Sequence, residues 1–114
     1  MTGSERSWWE SPRTAPGVWS WPRDEDRAEF DEHYEKVHYP LAEKLPGVRR
    51  ITVLTGGENA RVSEMFRVAE VYWDDRAAFD RAAASPEWQA MAADAQHLME
   101  RYGVTLSAAD GVTP

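Results

Sequence analysis

An α+β fold with elements in the order β-α-β-β-α-β is what this chain of 114 residues predicts. Two amphipathic stripes at helical spacing are separated by two β-branched runs, and shorter β-prone runs precede the first stripe and follow the second. The length suits one domain with a single core.

Residues 1–17 read as an N-terminal extension rich in Ser, Pro, Gly and Arg, with no period. Trp8 and Trp9 lie inside it, and two adjacent indoles carry much area to leave in water. The tail is either folded over a groove or a partner subunit, or it is disordered and merely carries Trp. The domain proper is assigned to residues 18–110. Val18 to Trp21, between Gly17 and Pro22, is the first strand. Asp24 opens a helix whose early turns hold Asp24, Glu25, Asp26 and Glu29, where the macrodipole favours negative charge. Phe30, Tyr34, Val37, Leu41 and Leu45 form its apolar stripe. Pro40 removes an amide donor and clashes with the preceding turn, so the helix is expected to end or kink near His38 and Tyr39, with a short second turn running to Leu45.

Val48 to Thr55 is the second strand and Glu64 to Trp73 the third. The third is apolar on both faces, so both should be covered. Asp74-Asp75 starts a short helix through Ala84. Ser85-Pro86-Glu87 is an N-cap, a proline at the first helical position and an acid in the first turn. Trp88, Met91, Ala95, Leu98 and Tyr102 make the second stripe. Gly103 ends it, and Val104 to Ser107 supply a last strand. This is the split βαβ, or ferredoxin-like, arrangement, an antiparallel sheet with both helices on one face. The other face then needs a cover, and the same face of a second copy supplies one, so a homodimer is expected.

The net charge of −7 argues against a nucleic-acid partner and against anionic membrane surfaces. No apolar run approaches the ~20 residues that span a bilayer, and the N-terminus lacks the apolar segment of a secretory signal. The cysteine count is zero, which removes disulfides and thiolate chemistry. The default expectation is a cytoplasmic protein.

The chemistry concentrates in His33-Tyr34-Glu35-Lys36-Val37-His38-Tyr39-Pro40-Leu41. Histidine exchanges protons near neutral pH, and two of them flank this turn. His38 precedes the proline, where a helix opens. It is a general acid or base at a pocket mouth, or it caps the freed carbonyls. Tyr34 is on the stripe and reaches core or pocket; His33 lies beside it. Asp94 borders the second stripe and could orient an imidazole from the first helix, or be a solvated acid paired with His97. Glu70 is an acid in a strand covered on both faces: if buried it must be paired or neutral, or else it faces Arg67 or Arg50 across the dimer. No metal site is expected, because a spacing of five puts His33 and His38 on different faces of a helix.

Phe30-Asp31-Glu32-His33-Tyr34, Val37-His38-Tyr39-Pro40-Leu41 and Leu45-Pro46-Gly47-Val48 together resemble the signature of the EthD family of dimeric α+β barrels. Val71-Tyr72-Trp73-Asp74-Asp75 is similar to that family's strand-to-helix junction. Ser85-Pro86-Glu87, with Asp94 and Leu98 after it, is similar to its last helix. The resemblance covers residues 18–108 and implies a homodimer with a pocket between sheet and helices in each subunit. Related barrels include isomerases, polyketide cyclases and cofactor-free monooxygenases, and it favours the catalytic role for His38.

The reading is a cofactor-free enzyme doing acid/base chemistry on a small apolar cyclic or polyketide-like substrate. Isomerisation, cyclisation, dehydration and decarboxylation all fit. His38, His33, Asp94 and Tyr34 are the catalytic candidates. Phe66, Glu70, Tyr72, Trp73 and Trp88 are assigned to substrate contact. The alternatives are a cofactor-independent monooxygenase and a non-catalytic carrier of hydrophobic ligands.

Overall fold

The computed structural model describes residues 10–57, 64–109 and 111–112. Trp8 and Trp9 lie outside the described residues.

Strand β1 runs Arg13–Ser20, β2 Arg50–Thr55, β3 Met65–Trp73, β4 Leu106–Ala108 and β5 Gly111–Val112. The sheet order is β2-β3-β1-β4, with β5 also on β1, and every pairing is antiparallel. The α+β, ferredoxin-like expectation therefore holds. Strand β1 begins inside the segment assigned to the extension. Pro16 and Gly17 read as a break in the sequence, yet both are strand residues. Pro16 sits where β4 gives way to β5, and its carbonyl accepts from the Ala109 amide at 3.2 Å. A residue without an N–H is tolerated at such a ladder gap. Strand β5 was not anticipated.

The first helical segment is less regular than its stripe suggested. A 3₁₀ turn over Asp24–Asp26 leads into α1, Arg27–His33. A π-helical segment covers Tyr34–His38, and α2 covers Tyr39–Glu43. Of the two expected outcomes, an end or a kink, the helix does not end at His38: backbone angles stay right-handed helical from His33 through Lys44, and a further turn follows as expected. Pro40 cannot donate to the carbonyl four residues back, and its ring crowds that carbonyl. The turn before it widens instead, and the Tyr39 amide donates to the carbonyl of Tyr34, five residues back.

The widened turn changes which residues are inside. Phe30, Tyr34, His38, Ala42 and Leu45 are buried, whereas Val37, expected on the stripe, is 42% exposed. Leu41 is only half-buried. An α-helix advances about 100° per residue, so it could not hold residues 30, 34, 38 and 42 on one line for long. One extra residue in one turn corrects the drift.

Helix α3 runs Arg76–Ala83 and α4 Pro86–Tyr102. Asp75 caps α3 by accepting from the Ala78 amide at 2.9 Å, and Ser85 caps α4 by accepting from the Trp88 amide at 3.1 Å. Gly103 ends α4 with φ of 68°, a left-handed angle that glycine adopts freely.

The odd positions of β1 and β3 face the helices. A register shift at Trp19/Ser20 turns both Phe66 and Arg67 inward. Arg67 spans the layer: it lies 4.3 Å from the Tyr34 ring centre, donates from Nε to Thr55 at 3.1 Å, and from Nη2 to Asp31 at 2.8 Å. The core falls into two clusters. One gathers around Trp19, Phe30, Phe66 and Leu98, the other around Leu45, Val71, Trp73 and Ala82. Between them the central strands carry Ala15, Gly17 and Ala69, side chains too small to fill the layer.

Candidate active site

The gap above those small residues is a cavity of about 450 Å³, within the range of small-molecule sites. Its sheet floor is Ala15, Gly17, Ala69 and Val71. Trp73, Phe79 and Trp88 form one end, with Trp73 and Trp88 each edge-on to Phe79 at 77° and 89°. Trp19, Tyr34, His38 and Tyr39 form the polar end. No Asp, Glu, Lys or Arg lines it among the described residues.

His38 is the titratable base of that wall. Its Nδ1 lies 2.8 Å from Oδ2 of Asp94, and Nε2 of His33 lies 2.7 Å from Oδ1 of the same residue. The side chains of His38, Asp94 and His33 are 9%, 11% and 22% exposed. A carboxylate only accepts, so both imidazoles donate to it. His38 is then the Nδ1–H tautomer, and Nε2 is the nitrogen left for a ligand. Burial pushes the His38 pKa below its ordinary 6.5, against the raising effect of the Asp94 hydrogen bond and charge. His38 therefore stands in the wall as a neutral base.

The His33/His38 spacing was read as unsuited to one helix face. That holds for an α-helix, where five residues turn about 500° and leave the two about 140° apart. In the π segment a residue and its fifth neighbour come round together, and both imidazoles reach one carboxylate.

Tyr34 is also buried in the wall. Burial pushes its phenol above the ordinary 10.0, opposed by Arg67 and by a hydrogen bond from the Trp19 side chain. An indole N–H only donates, so the phenol oxygen accepts there and keeps its hydrogen for another partner.

The other residues named from sequence divide. Trp73 and Trp88 line the cavity. Glu70 and Tyr72 do not: beyond Arg67 the even positions of β3 face away from the helices, and the Tyr72 hydroxyl donates to Glu70 at 2.5 Å. Within the chain, Arg50 stacks 4.3 Å over Tyr72 and Arg67 pairs with Asp31. Phe66 packs in the core against Trp21 and Phe30 and does not line the cavity. His97 does not pair with Asp94; its ring lies 5.2 Å from that of His33. Trp19, Tyr39, Phe79 and Met91 line the cavity without having been singled out for it. A four-residue strand reading could not set the phase of Trp19. Tyr39 enters only because the widened turn rotates it inward.

Residues 22–101 match the EthD domain. The chain belongs to the EthD family. An uncharacterized 11.0 kDa protein in the thcB-thcC intergenic region of Rhodococcus erythropolis is 34% identical over 89 residues, spanning 77% of this chain and 85% of that protein. The crystal structure of an EthD family protein from Bacillus halodurans is similar with a TM-score of 0.68 and 29% identity, over 86% of this chain and 96% of that one. SnoaB, a cofactor-independent oxygenase from Streptomyces nogalater, has a TM-score of 0.63 at 20% identity, over 91% and 94% of the two chains. That last likeness is one of fold.

Asp94→Asn tests the assignment of this EthD site. An amide offers one acceptor and one donor group, so one imidazole must change tautomer or lose its partner. Followed by proton NMR, His38 should titrate at lower pH than in the parent, because the group that raises its pKa is gone. An unmoved or raised titration would contradict the pairing.

Proposed function

We propose that this chain is an enzyme doing acid/base chemistry on a small, uncharged, apolar cyclic or polyketide-like substrate, without a cofactor. One observation carries the reading: a neutral imidazole, its Nδ1 held by a half-buried carboxylate, forms part of the wall of an otherwise apolar cavity. His38 Nε2 takes a proton from carbon next to a carbonyl, or from an enol or phenol. The imidazolium formed is stabilised by Asp94, and the developing oxyanion accepts from the Tyr34 hydroxyl. Return of the proton to another carbon completes an isomerisation; its transfer to the new alkoxide completes a cyclisation, and to the leaving hydroxyl a dehydration. In a decarboxylation the proton taken is that of a neutral β-keto acid's carboxyl group, and it returns to the carbon that loses carbon dioxide. The fold likeness to SnoaB supports a second reading, in which the deprotonated substrate reacts with oxygen directly. A carrier of hydrophobic ligands would use the same cavity without needing the imidazole.

His38→Ala should lower turnover ~100-fold or more with the fold intact. In the parent, kcat/KM should fall as pH drops through the His38 pKa, with the acid limb below pH 6.5, since the base works only unprotonated. Normal turnover by the variant, once a substrate is in hand, would remove the acid/base role.

The active form is proposed as a homodimer joined through the helix-free sheet face. Val18, Val68 and Leu54 stand side by side across three strands on that face, and Leu54 is 72% exposed. Helices of this subunit cannot cover that row. The doubly substituted Leu54→Lys, Val68→Lys chain should be a monomer by light scattering where the parent is a dimer. A parent that is itself monomeric at micromolar concentration would refute the arrangement.

A further inference from the structure

His33 shares Asp94 with the reacting base, yet the proposed chemistry leaves it unused. It does not line the cavity. It reaches toward the cavity through Asp94, where it engages one carboxylate oxygen and His38 the other. We propose that His33 is a positioning residue: by donating Nε2–H to Oδ1 of Asp94, it fixes the carboxylate so that Oδ2 holds His38 as its Nδ1–H tautomer. The inference rests on the function proposed above, because the tautomer matters only if His38 Nε2 must be bare.

The geometry supports this in three ways. A carboxylate with one strong partner can pivot about its last side-chain bond, exchange its oxygens or take a water. With a separate imidazole on each oxygen, at 2.7 and 2.8 Å, both the plane and the direction of the group are set. Second, His33 and His38 bracket the π segment, His33 as the last residue of α1 and His38 as the last of the widened turn. An α turn would satisfy either histidine alone; only the wider turn presents both to Asp94. Third, burial is graded away from the cavity, from His38 to Asp94 to His33. His33 packs against His97 on its outer side, so its ring is held on two sides and can hold Asp94 in turn.

The test needs no substrate at first. Nitrogen-15 NMR of the imidazoles in the full chain reports which ring nitrogen of His38 is protonated. The parent should show Nδ1–H alone. In His33→Ala, His38 should become a mixture of tautomers. His33→Gln, whose amide can donate over a similar reach, should restore Nδ1–H. If His33→Ala proves unfolded by circular dichroism, His33→Leu fills the space without a donor and takes its place. With a substrate in hand, the donor-less variant should lose ~10- to 100-fold in kcat while KM stays within about twofold, and Gln should recover most of the loss. Retention of pure Nδ1–H in a folded donor-less variant overturns the inference, as does a loss that Gln does not rescue. Inactivity of His38 would instead appear as unchanged turnover in His38→Ala, a separate result that leaves the NMR comparison to decide the role of His33.

Discussion

Pro40 has no amide hydrogen, and the carbonyl four residues before it cannot be bonded in the ordinary helical way. The chain answers with one wide turn, closed by the Tyr39 amide on the Tyr34 carbonyl. The consequences run through the site. His38 takes the buried position that Val37 would hold in a regular helix, and Tyr39 joins the cavity wall. His33 and His38 converge on Asp94 of the neighbouring helix α4. A proline within the first turn of α2 is tolerated because early helical amides lack intrahelical partners anyway. The local cost falls on a few backbone bonds, and the gain is a histidine placed in the wall of an apolar pocket.

The pocket itself has a different origin. Small residues at Ala15, Gly17 and Ala69 leave the middle of the sheet unfilled between two well-packed aromatic clusters. Gly17 is already near its limit, since a Cβ there would meet Leu106 at 3.3 Å. An apolar lining keeps charged ligands out and makes charging His38 costly. The same burial that lowers its pKa also makes the Asp94 contact worth more, because hydrogen bonds to charge strengthen away from water. Cavity and carboxylate thus oppose each other at one ring, and their balance sets how readily it takes and returns a proton.

Element order and both capped helices were legible because each rests on local chemistry: Ser85-Pro86, Gly103, the β-branched runs. The helix motif also pointed to the family, and membership follows from the match over residues 22–101. The inward turn of His38 was legible only as a question, because the apolar pattern alone favoured Val37 and Leu41. A π turn has no residue signature beyond its proline and the odd spacing of the two histidines, and that spacing argued against their meeting. Glu70 and Tyr72 were misplaced for another reason: a strand apolar on both faces does not say which face carries the helices. The short first strand could not settle it, since its true extent crosses a proline and a glycine.

The widened turn is the feature on which the site stands, and it can be observed bond by bond. Scalar coupling across hydrogen bonds, measured between amide nitrogen and carbonyl carbon in labelled protein, identifies the acceptor of the Tyr39 amide. A correlation to the Tyr34 carbonyl is the result predicted. A correlation to the Glu35 carbonyl, the bond of an ordinary α turn, would place His33 and His38 on different faces and contradict the shared carboxylate.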